Sequence, residues 1–246
     1  MARRMTLVRS LLFTLVFYPG TLVYVLTGLA VSVFGETPMR AVVHGWSNFH
    51  FWLARHLIGI DERFEGQIPT TPCLIAIKHQ SMYEAVATLR VFQTPIVVMK
   101  RQLSHMPFFG WITQIYGVIG VDREAGASAL RNLIAAGKAA AASGRTVIIF
   151  PEGTRVPVGE QPDLKPGFAA LYRAMGLPVV PVAIDAGLVW PKGLRKYSGL
   201  VTWRIGETIP PGLARPEIEA RVHAAINALN EPQSHHSVPD AHSDAP

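Results

Sequence analysis

The segment that constrains the fold most is the short apolar run at residues 146–150, in which only the first side chain is polar. A strand that is apolar on both faces has to be covered on both faces, as happens inside a parallel sheet. Similar apolar runs at residues 73–77, 95–99 and 178–184 alternate with segments of helical character. This alternation predicts an α/β fold, in which a sheet is flanked by helices.

The chain of 246 residues has room for one such domain and an appendage. We predict three parts: an N-terminal membrane-associated helical segment at residues 1–60, the α/β domain at residues 61–230, and a disordered tail, poor in apolar side chains, at residues 231–246. The other predicted strands lie at residues 118–121 and 200–205, and the predicted helices at residues 85–90, 106–116, 126–142, 167–175 and 216–229.

The N-terminal part contains the most apolar stretch of the chain, residues 11–34, which carries no charge. This stretch is long enough to cross a hydrocarbon layer of about 30 Å. Pro19-Gly20 interrupts it, so it forms either one kinked spanning helix or two short helices that dip into one leaflet. The next stretch, residues 39–60, mixes apolar, Trp and His side chains, which is typical of an interfacial helix.

We favour a hairpin seated in one leaflet, because a full crossing would place residues 39–60 on the far side from a cytoplasmic domain. Arg3, Arg4 and Arg9 precede the apolar stretch and favour a cytoplasmic N-terminus. The single cysteine, Cys73, excludes an internal disulfide and fits a reducing compartment.

The composition of the chain indicates which partners suit it. Apolar residues make up 49% and charged residues 16% of the sequence, and the formal net charge is +6. An apolar, cationic protein favours an anionic membrane surface or phosphorylated substrates. Nucleic acid is not an expected partner, because Lys and Arg are dispersed and no recognition motif occurs.

Residues 78–84, with the sequence KHQSMYE, are the strongest candidate for a catalytic stretch. They join a predicted strand to a predicted helix, a usual place for catalytic groups in α/β folds. Residues five apart on one helix lie about 140° apart around its axis, so His79 and Glu84 meet only if His79 precedes the helix. Ser81 supports this arrangement, because Ser-x-x-Glu is a capping box with Ser81 as the N-cap.

The residues alone leave two interpretations of Glu84 open. It is either a helix cap or a carboxylate that orients the His79 imidazole and stabilises its protonated form, leaving the other ring nitrogen free as a general base. No G-x-S-x-G elbow occurs and no Cys lies near a His, so no covalent nucleophile is indicated. No metal site is expected either, because His44, His50 and His56 fall on different helix faces.

Cationic side chains follow three other predicted strands, namely Lys100, Arg123 and Arg155. Taken singly, Lys100 is explained as a solvated cation and Arg123 as the partner of Asp122 in a surface ion pair. Arg155 is open between a solvated cation and a phosphate ligand. If the strands are parallel, however, their ends converge on one side of the sheet. Arg155 ends the turn Pro-Glu-Gly-Thr-Arg, in which Gly153 permits a positive φ or a close approach, and its guanidinium suits a phosphate.

Four ordered blocks together resemble those of the glycerolipid acyltransferase family. The blocks are His79-x-x-x-x-Glu84, residues 117–123, residues 150–155 and residues 180–183. The resemblance covers residues 68–207 and implies the sheet-and-helix fold of that family. Two positions depart from the family pattern, since Glu84 replaces the usual Asp and Asp185 stands where many relatives carry Asn.

The resemblance implies a direct acyl transfer. His79 resembles the base that takes the proton of the acceptor hydroxyl, Glu84 resembles the group that orients it, and the oxygen attacks the thioester of acyl-CoA or acyl carrier protein. The residues implied to bind the glycerol phosphate head are Lys100, Arg123, Glu152, Gly153, Thr154 and Arg155. Residues 180–183 are implied to lie on the acyl-donor side or in the supporting core. No metal and no redox cofactor are implied.

The activity expected from the resemblance is acylation of the sn-2 hydroxyl of 1-acyl-sn-glycerol 3-phosphate to phosphatidic acid, in phospholipid biosynthesis. The expected location is a bacterial inner membrane, with the catalytic domain on the cytoplasmic side. The alternative is the same chemistry on another lysolipid, such as a lyso-ornithine lipid. A non-catalytic lipid-binding protein is disfavoured by the intact His79 and Glu84, and a hydrolase by the want of a nucleophile. The acyl donor and the acyl-chain length stay open.

Overall fold

The computed structural model of the chain describes residues 2–106, 109–122 and 126–230. Arg123 and the predicted tail at residues 231–246 lie outside the described residues. Within them, the strands are β1 (Ile60–Glu65), β2 (Leu74–Ile77), β3 (Ile96–Lys100), β4 (Ile119–Val121), β5 (Val147–Ile149), β6 (Val179–Ile184) and β7 (Gly199–Ile205).

The helices of the described residues are α1 (Ala2–Val31), α2 (Glu36–Leu53), α3 (Tyr83–Val91), α4 (Phe109–Tyr116), α5 (Gly126–Ala142), α6 (Pro166–Met175) and α7 (Arg215–Ile226). Short 3-10 segments lie at Ser32–Phe34, Arg101–His105 and Ala186–Leu188, and a π-helical turn extends α2 at Ala54–Ile58. From β2 onward, each predicted strand and helix has a counterpart at these positions.

All seven strands form one sheet, in the order β1-β7-β6-β2-β5-β3-β4. Neighbouring strands pair in parallel, except that β6 and β7 are antiparallel. The predicted α/β fold is therefore confirmed as a mixed sheet flanked by helices. The carboxyl ends of β2, β5, β3 and β4 lie on the same edge, so the polar residues that follow these strands are brought to one side.

The sheet is buried on both faces, and β2 shows how. Leu74 and Ala76 belong to the core on the side of α5, α6 and α7. Ile75 and Ile77 point the other way, into the core that includes side chains of α1, α2 and α3. Successive side chains of a strand alternate between faces, so a strand with a core on each side needs apolar residues throughout.

The sequence predicts no strand at Ile60–Glu65, but the structure has β1 there, paired in parallel with β7. This strand lies at the sheet edge and is rich in charge, so it lacks an apolar pattern. One of its charges has a structural use, since the Glu62 carboxylate accepts hydrogen bonds from the Tyr83 hydroxyl at 3.0 Å and from Trp203 Nε1 at 3.1 Å.

Helix α1 runs without interruption through Pro19, so the predicted alternative of two short helices broken at Pro19-Gly20 is wrong. Helix α2 packs against α1 at this point. A Cβ on Gly20 would lie 2.4 Å from the Phe49 ring, so glycine is what lets the two helices approach. Nearby, Trp46 Nε1 donates to Thr21 Oγ1 at 3.0 Å. The two helices form a hairpin, which we call the α1–α2 hairpin.

The α1–α2 hairpin packs on the sheet domain. On α2, the Ser47 hydroxyl donates to the Val86 carbonyl of α3 at 2.7 Å. His50 of α2 is buried among aromatic rings that include Phe13 and Trp190. Burial, and secondarily the charge of Arg90, lowers the pKa of His50 to about 3, so this imidazole is neutral and acts as part of the apolar contact.

Candidate active site

The candidate site lies at the carboxyl end of β2, where the chain turns into α3. The helix begins at Tyr83 with Met82 as its N-cap, one residue later than the predicted cap at Ser81. Ser81 and Glu84 nevertheless bond as a modified capping box. The Ser81 hydroxyl accepts from the Tyr83 N–H at 2.9 Å, and the Glu84 carboxylate accepts from the Ser81 N–H at 2.5 Å. The turn therefore places Glu84 in the first helical turn.

The structure brings His79 and Glu84 together, with 3.0 Å between His79 Nδ1 and Glu84 Oε1. Glu84 has no exposed surface, and its carboxylate also accepts from the Gln80 N–H at 2.6 Å and from the Ser81 hydroxyl at 2.6 Å. The two interpretations of Glu84 are thus compatible, because one carboxylate binds both the turn and the imidazole. The carboxylate accepts, so Nδ1 carries the proton and a neutral His79 has its lone pair on Nε2.

Nothing in the described residues hydrogen-bonds to Nε2 of His79, and the side chain is 15% exposed. The ring stacks on Phe150 with 4.2 Å between centroids, and the His79 carbonyl accepts from the Val156 N–H at 2.7 Å. Both contacts come from the loop after β5. The arrangement provides an oriented base at the protein surface, beside the Pro-Glu-Gly-Thr-Arg turn.

Within that turn, Gly153 has a φ of +71°, a left-handed conformation that glycine adopts without strain. An added Cβ there would also lie 2.9 Å from Lys165 Cγ. Thr154 is exposed and Arg155 is half-buried. In the part of the chain that the structure describes, no ion pair or side-chain hydrogen bond engages Arg155, so its guanidinium is available to an anion.

A second cation lies near Arg155. Burial, followed by the positive charge of Arg155, lowers the pKa of Lys196. The Lys196 ammonium donates to the carbonyls of Pro191 and Gly193 at 3.0 and 2.6 Å and lies over the ring of Trp190. The sequence does not single out Lys196, because it belongs to a loop far along the chain from His79.

Glu152 has a different setting from the rest of its turn. One carboxylate oxygen, Oε1, lies 2.5 Å from Lys78 Nζ, and the other, Oε2, accepts from the His79 N–H at 2.8 Å. Both charged side chains are fully buried. The predicted contact of Glu152 with the acceptor stays a prediction. In the structure, the Glu152 carboxylate binds the main chain of His79. The sequence offered one signal for this pair, namely that Lys78 directly follows the apolar strand Leu74–Ile77.

The other predicted site residues lie farther along the same edge. Lys100 is exposed at the end of β3, which is the next strand after β5. At the end of β4, Asp122 lies 3.9 Å from Arg101. Arg123 comes next in the chain but lies outside the described residues. Among those residues, no three His, Cys, Asp or Glu side chains are grouped to hold a metal ion.

The fold and the site define a class of protein. The sequence model of the Acyltransferase family matches residues 60–185, which include β1 to β6 and the His79 loop. The chain belongs to the acyltransferase family.

Individual relatives give a finer comparison. The chain is 41% identical over 170 residues to a 1-acyl-sn-glycerol-3-phosphate acyltransferase of Pseudomonas aeruginosa, covering 68% of this chain and 66% of that protein, just under two thirds. It is 28% identical over 204 residues to human 1-acyl-sn-glycerol-3-phosphate acyltransferase beta, covering 79% of this chain and 72% of that protein.

A solved structure resembles nearly the whole chain. The crystal structure of PlsC, the 1-acyl-sn-glycerophosphate (LPA) acyltransferase of Thermotoga maritima, superposes with a TM-score of 0.73 and 26% identity. The match covers 94% of this chain and 98% of that one, so it extends beyond the family segment into the N-terminal helices.

Proposed function

We propose that this chain transfers an acyl group from a thioester donor to the sn-2 hydroxyl of 1-acyl-sn-glycerol 3-phosphate, giving phosphatidic acid. The observation that carries the proposal is the oriented His79–Glu84 pair beside a turn that ends in Arg155, whose guanidinium has no ion-pair partner among the described residues. The pair supplies a base for a hydroxyl, and the guanidinium suits a phosphate on the same acceptor. The names of the Pseudomonas and Thermotoga relatives support the same acceptor.

In the proposed reaction, His79 Nε2 takes the proton of the acceptor hydroxyl while that oxygen attacks the thioester carbonyl carbon. A new C–O ester bond forms, the C–S bond breaks, and the thiolate takes the proton back from Nε2. Glu84 stabilises the imidazolium that exists between these two proton transfers. No acyl-enzyme intermediate is needed, because the acceptor itself is the nucleophile.

The acceptor phosphate is proposed to bind at Arg155, with help from Lys100, Arg123 and the turn residues Gly153 and Thr154. A planar guanidinium holds two phosphate oxygens at once, which orients the glycerol as well as binding it. The donor is proposed to be acyl-CoA or acyl carrier protein, since both present the same thioester, and no metal or redox cofactor is proposed to take part.

The proposal is tested by assaying membranes or detergent-purified enzyme against a panel of lysolipids, each with acyl-CoA and with acyl carrier protein as donor. Lysophosphatidic acid is expected to be the preferred acceptor by kcat/KM. A preference for a lyso-ornithine lipid would mean that the acceptor is a different lysolipid, while the acyl-transfer reaction stays as proposed. Loss of donor thioester without esterified product would instead identify a hydrolase.

Arg155→Ala is expected to lower kcat/KM for lysophosphatidic acid by roughly ten- to a hundred-and-fifty-fold, which corresponds to ~1.5–3 kcal/mol for a charge-assisted hydrogen bond. Activity on an uncharged monoacylglycerol should change little, and Arg155→Lys should be only partly tolerated. Arg173→Ala, at an exposed site in the last turn of α6, is the matched control. Equal losses on both acceptors would contradict a phosphate role for Arg155.

We propose that the α1–α2 hairpin seats the enzyme in one leaflet. Met5–Phe34 is long and apolar enough to cross a membrane by length and composition. However, α1 lies along the domain: its Ser10 bonds to the Lys196 loop at 2.9 Å, and a Cβ on Gly28 would lie 3.3 Å from Ile112 of α4. These contacts are 18 residues apart, or about 27 Å of helix. The outward face carries exposed apolar side chains, including Leu15, Leu22, Val23 and Leu26.

Because α1 stays in contact with the domain over this length, it does not leave the domain to cross a membrane. Its exposed apolar face can instead lie in one leaflet. The expected location is the cytoplasmic side of a bacterial inner membrane, where Arg3, Arg4 and Arg9 favour a cytoplasmic N-terminus.

Topology can be measured by thiol labelling, because the only native cysteine, Cys73, is buried and can be replaced by Ala. Single cysteines at Thr6 and at Glu36 are expected to react only with reagent on the cytoplasmic side. Reaction of the Glu36 position with an impermeant periplasmic reagent would show that α1 crosses the membrane. A cysteine at Arg221, on the exposed face of α7, reports the domain itself.

A further inference from the structure

A buried polar network joins the end of α7 to the His79 loop. The Lys78 ammonium donates to Glu152 Oε1 at 2.5 Å and to Asn227 Oδ1 at 2.7 Å. Its third bond goes to the Glu160 carbonyl at 2.8 Å. All three ammonium donors thus have acceptors, as a fully buried charge requires. Glu152 Oε2 then accepts from the His79 N–H at 2.8 Å, which connects α7 to His79.

Asn230 forms the second half of the network. Its Oδ1 accepts from Gln80 Nε2 at 3.1 Å and from the Gly159 N–H at 2.8 Å, and its Nδ2 donates to the Glu160 carbonyl at 2.7 Å. Gln80 Oε1 accepts from the Gly187 N–H at 3.1 Å. The loops after β2, β5 and β6 therefore meet at the end of α7.

We propose that Lys78, Glu152, Asn227 and Asn230 are positioning residues, which together hold His79 where its Nε2 meets the acceptor hydroxyl. The two asparagines lie beyond residues 60–185, the segment that the family model matches, so this chain uses its C-terminal helix to complete its catalytic loop. The inference rests on the proposed role of His79 as the base.

The reason for such a network is that the His79 loop is short and has few apolar anchors. The main-chain N–H groups of residues 79, 80 and 81 all bond to carboxylates, those of Glu152 and Glu84. A fully satisfied buried network is rigid, whereas a partly satisfied one is costly and mobile. Misplacing a catalytic group by about 1 Å can lower the rate by roughly a hundred-fold.

The first test replaces Asn230 by Ala in the full-length enzyme. We expect kcat to fall by about ten- to a hundred-fold while KM for the acceptor changes less than about two-fold. The pH profile of kcat/KM should also shift, because the His79–Glu84 contact changes. The matched control is Arg221→Ala, on the same helix, whose guanidinium donates to the Glu217 carboxylate at 2.7 Å on the exposed surface, away from the network. It should keep the wild-type profile.

A merely structural role predicts a different pattern for Asn230→Ala. Fewer folded molecules would lower the whole pH profile without moving it, and that result would overturn the proposal. If Asn230→Ala does not fold, Asn230→Ser takes its place, since its hydroxyl can both accept and donate and so keeps part of the network. A smaller kcat loss with the same unchanged KM is then expected, and wild-type kcat would overturn the proposal.

The second test distinguishes a positioning role of Glu152 from a role in binding the acceptor. Lys78→Met leaves the Glu152 carboxylate buried and unpaired, which is strongly unfavourable. Adding Glu152→Gln removes that charge and keeps an acceptor for the His79 N–H, so the double variant should be at least about ten-fold more active than Lys78→Met alone. A double variant that gains nothing and has a raised acceptor KM would show that Glu152 contacts the acceptor instead.

Hydrogen exchange distinguishes failure of this inference from failure of the proposed function. Amides in the peptide spanning residues 78–84 should exchange faster in Asn230→Ala than in wild type or Arg221→Ala, whichever lysolipid is the acceptor. Unchanged exchange in an enzyme that acylates lysophosphatidic acid would overturn the proposed positioning role of the network and leave the proposed function standing. Wild-type enzyme that is inactive on lysophosphatidic acid would overturn the assigned acceptor alone.

Discussion

Replacing His79 by Ala is expected to lower kcat for acyl transfer by at least ~10²-fold, or about 2.7 kcal/mol of transition-state stabilisation. The physical reason is that Nε2 is the free nitrogen of an imidazole whose Nδ1 is bound to Glu84 at 3.0 Å. Without it, the acceptor hydroxyl has no base. The measurement is ester formation from lysophosphatidic acid under saturating donor, together with association of the variant with membranes, which should not change.

His79→Asn is the matched variant for this prediction. Its amide nitrogen can donate to Glu84 much as Nδ1 does, and its main-chain N–H still reaches Glu152, but it has no counterpart of Nε2. Its thermal stability should therefore stay close to that of wild type while its activity falls as far as that of His79→Ala. Near-normal turnover in either variant would rule out His79 as the base.

Glu84→Gln is expected to remove most of the activity, by ~10²-fold or more, although it can keep the local hydrogen bonds. The amide oxygen can accept from His79 Nδ1 and the two main-chain N–H groups, and the amide NH₂ can donate to the Ser81 hydroxyl. What is lost is the negative charge that stabilises a protonated imidazole. The measurement is kcat on lysophosphatidic acid beside the thermal midpoint of each variant.

Glu84→Asp is the companion variant, since it keeps the charge on a shorter side chain and restores the residue usual at this position in the glycerolipid acyltransferase pattern. It should retain substantial activity, within about ten-fold of wild type. Equal activity of Glu84→Gln and wild type would reduce Glu84 to a cap of α3, and the buried hydrogen bonds to Ser81 would then be its whole role.

Local sequence patterns predicted much of this protein. Apolar runs bounded by polar residues locate β2 to β7, and the alanine-rich stretch of α5 has the predicted bounds, 126–142. The approach of His79 to Glu84 is also compatible with their five-residue spacing at a strand-to-helix turn, although the residues alone left Glu84 open as a helix cap. In each case the deciding contacts are with near neighbours along the chain, so the signal is local.

Other features depend on residues that are distant in sequence. Lys78 lies 74 residues from Glu152 and 149 residues from Asn227, so no spacing rule indicates their contact. Helix α1 continues through Pro19 and packs closely on α2 at Gly20, and β1 forms at the edge because β7 is beside it. The sequence by itself determined the alternation of elements, through periodicity, and permitted a His79–Glu84 contact, through turn chemistry. Only the tertiary structure decided which buried charges are paired and how α7 reaches the catalytic loop, because burial and partner choice arise when the sheet edge assembles.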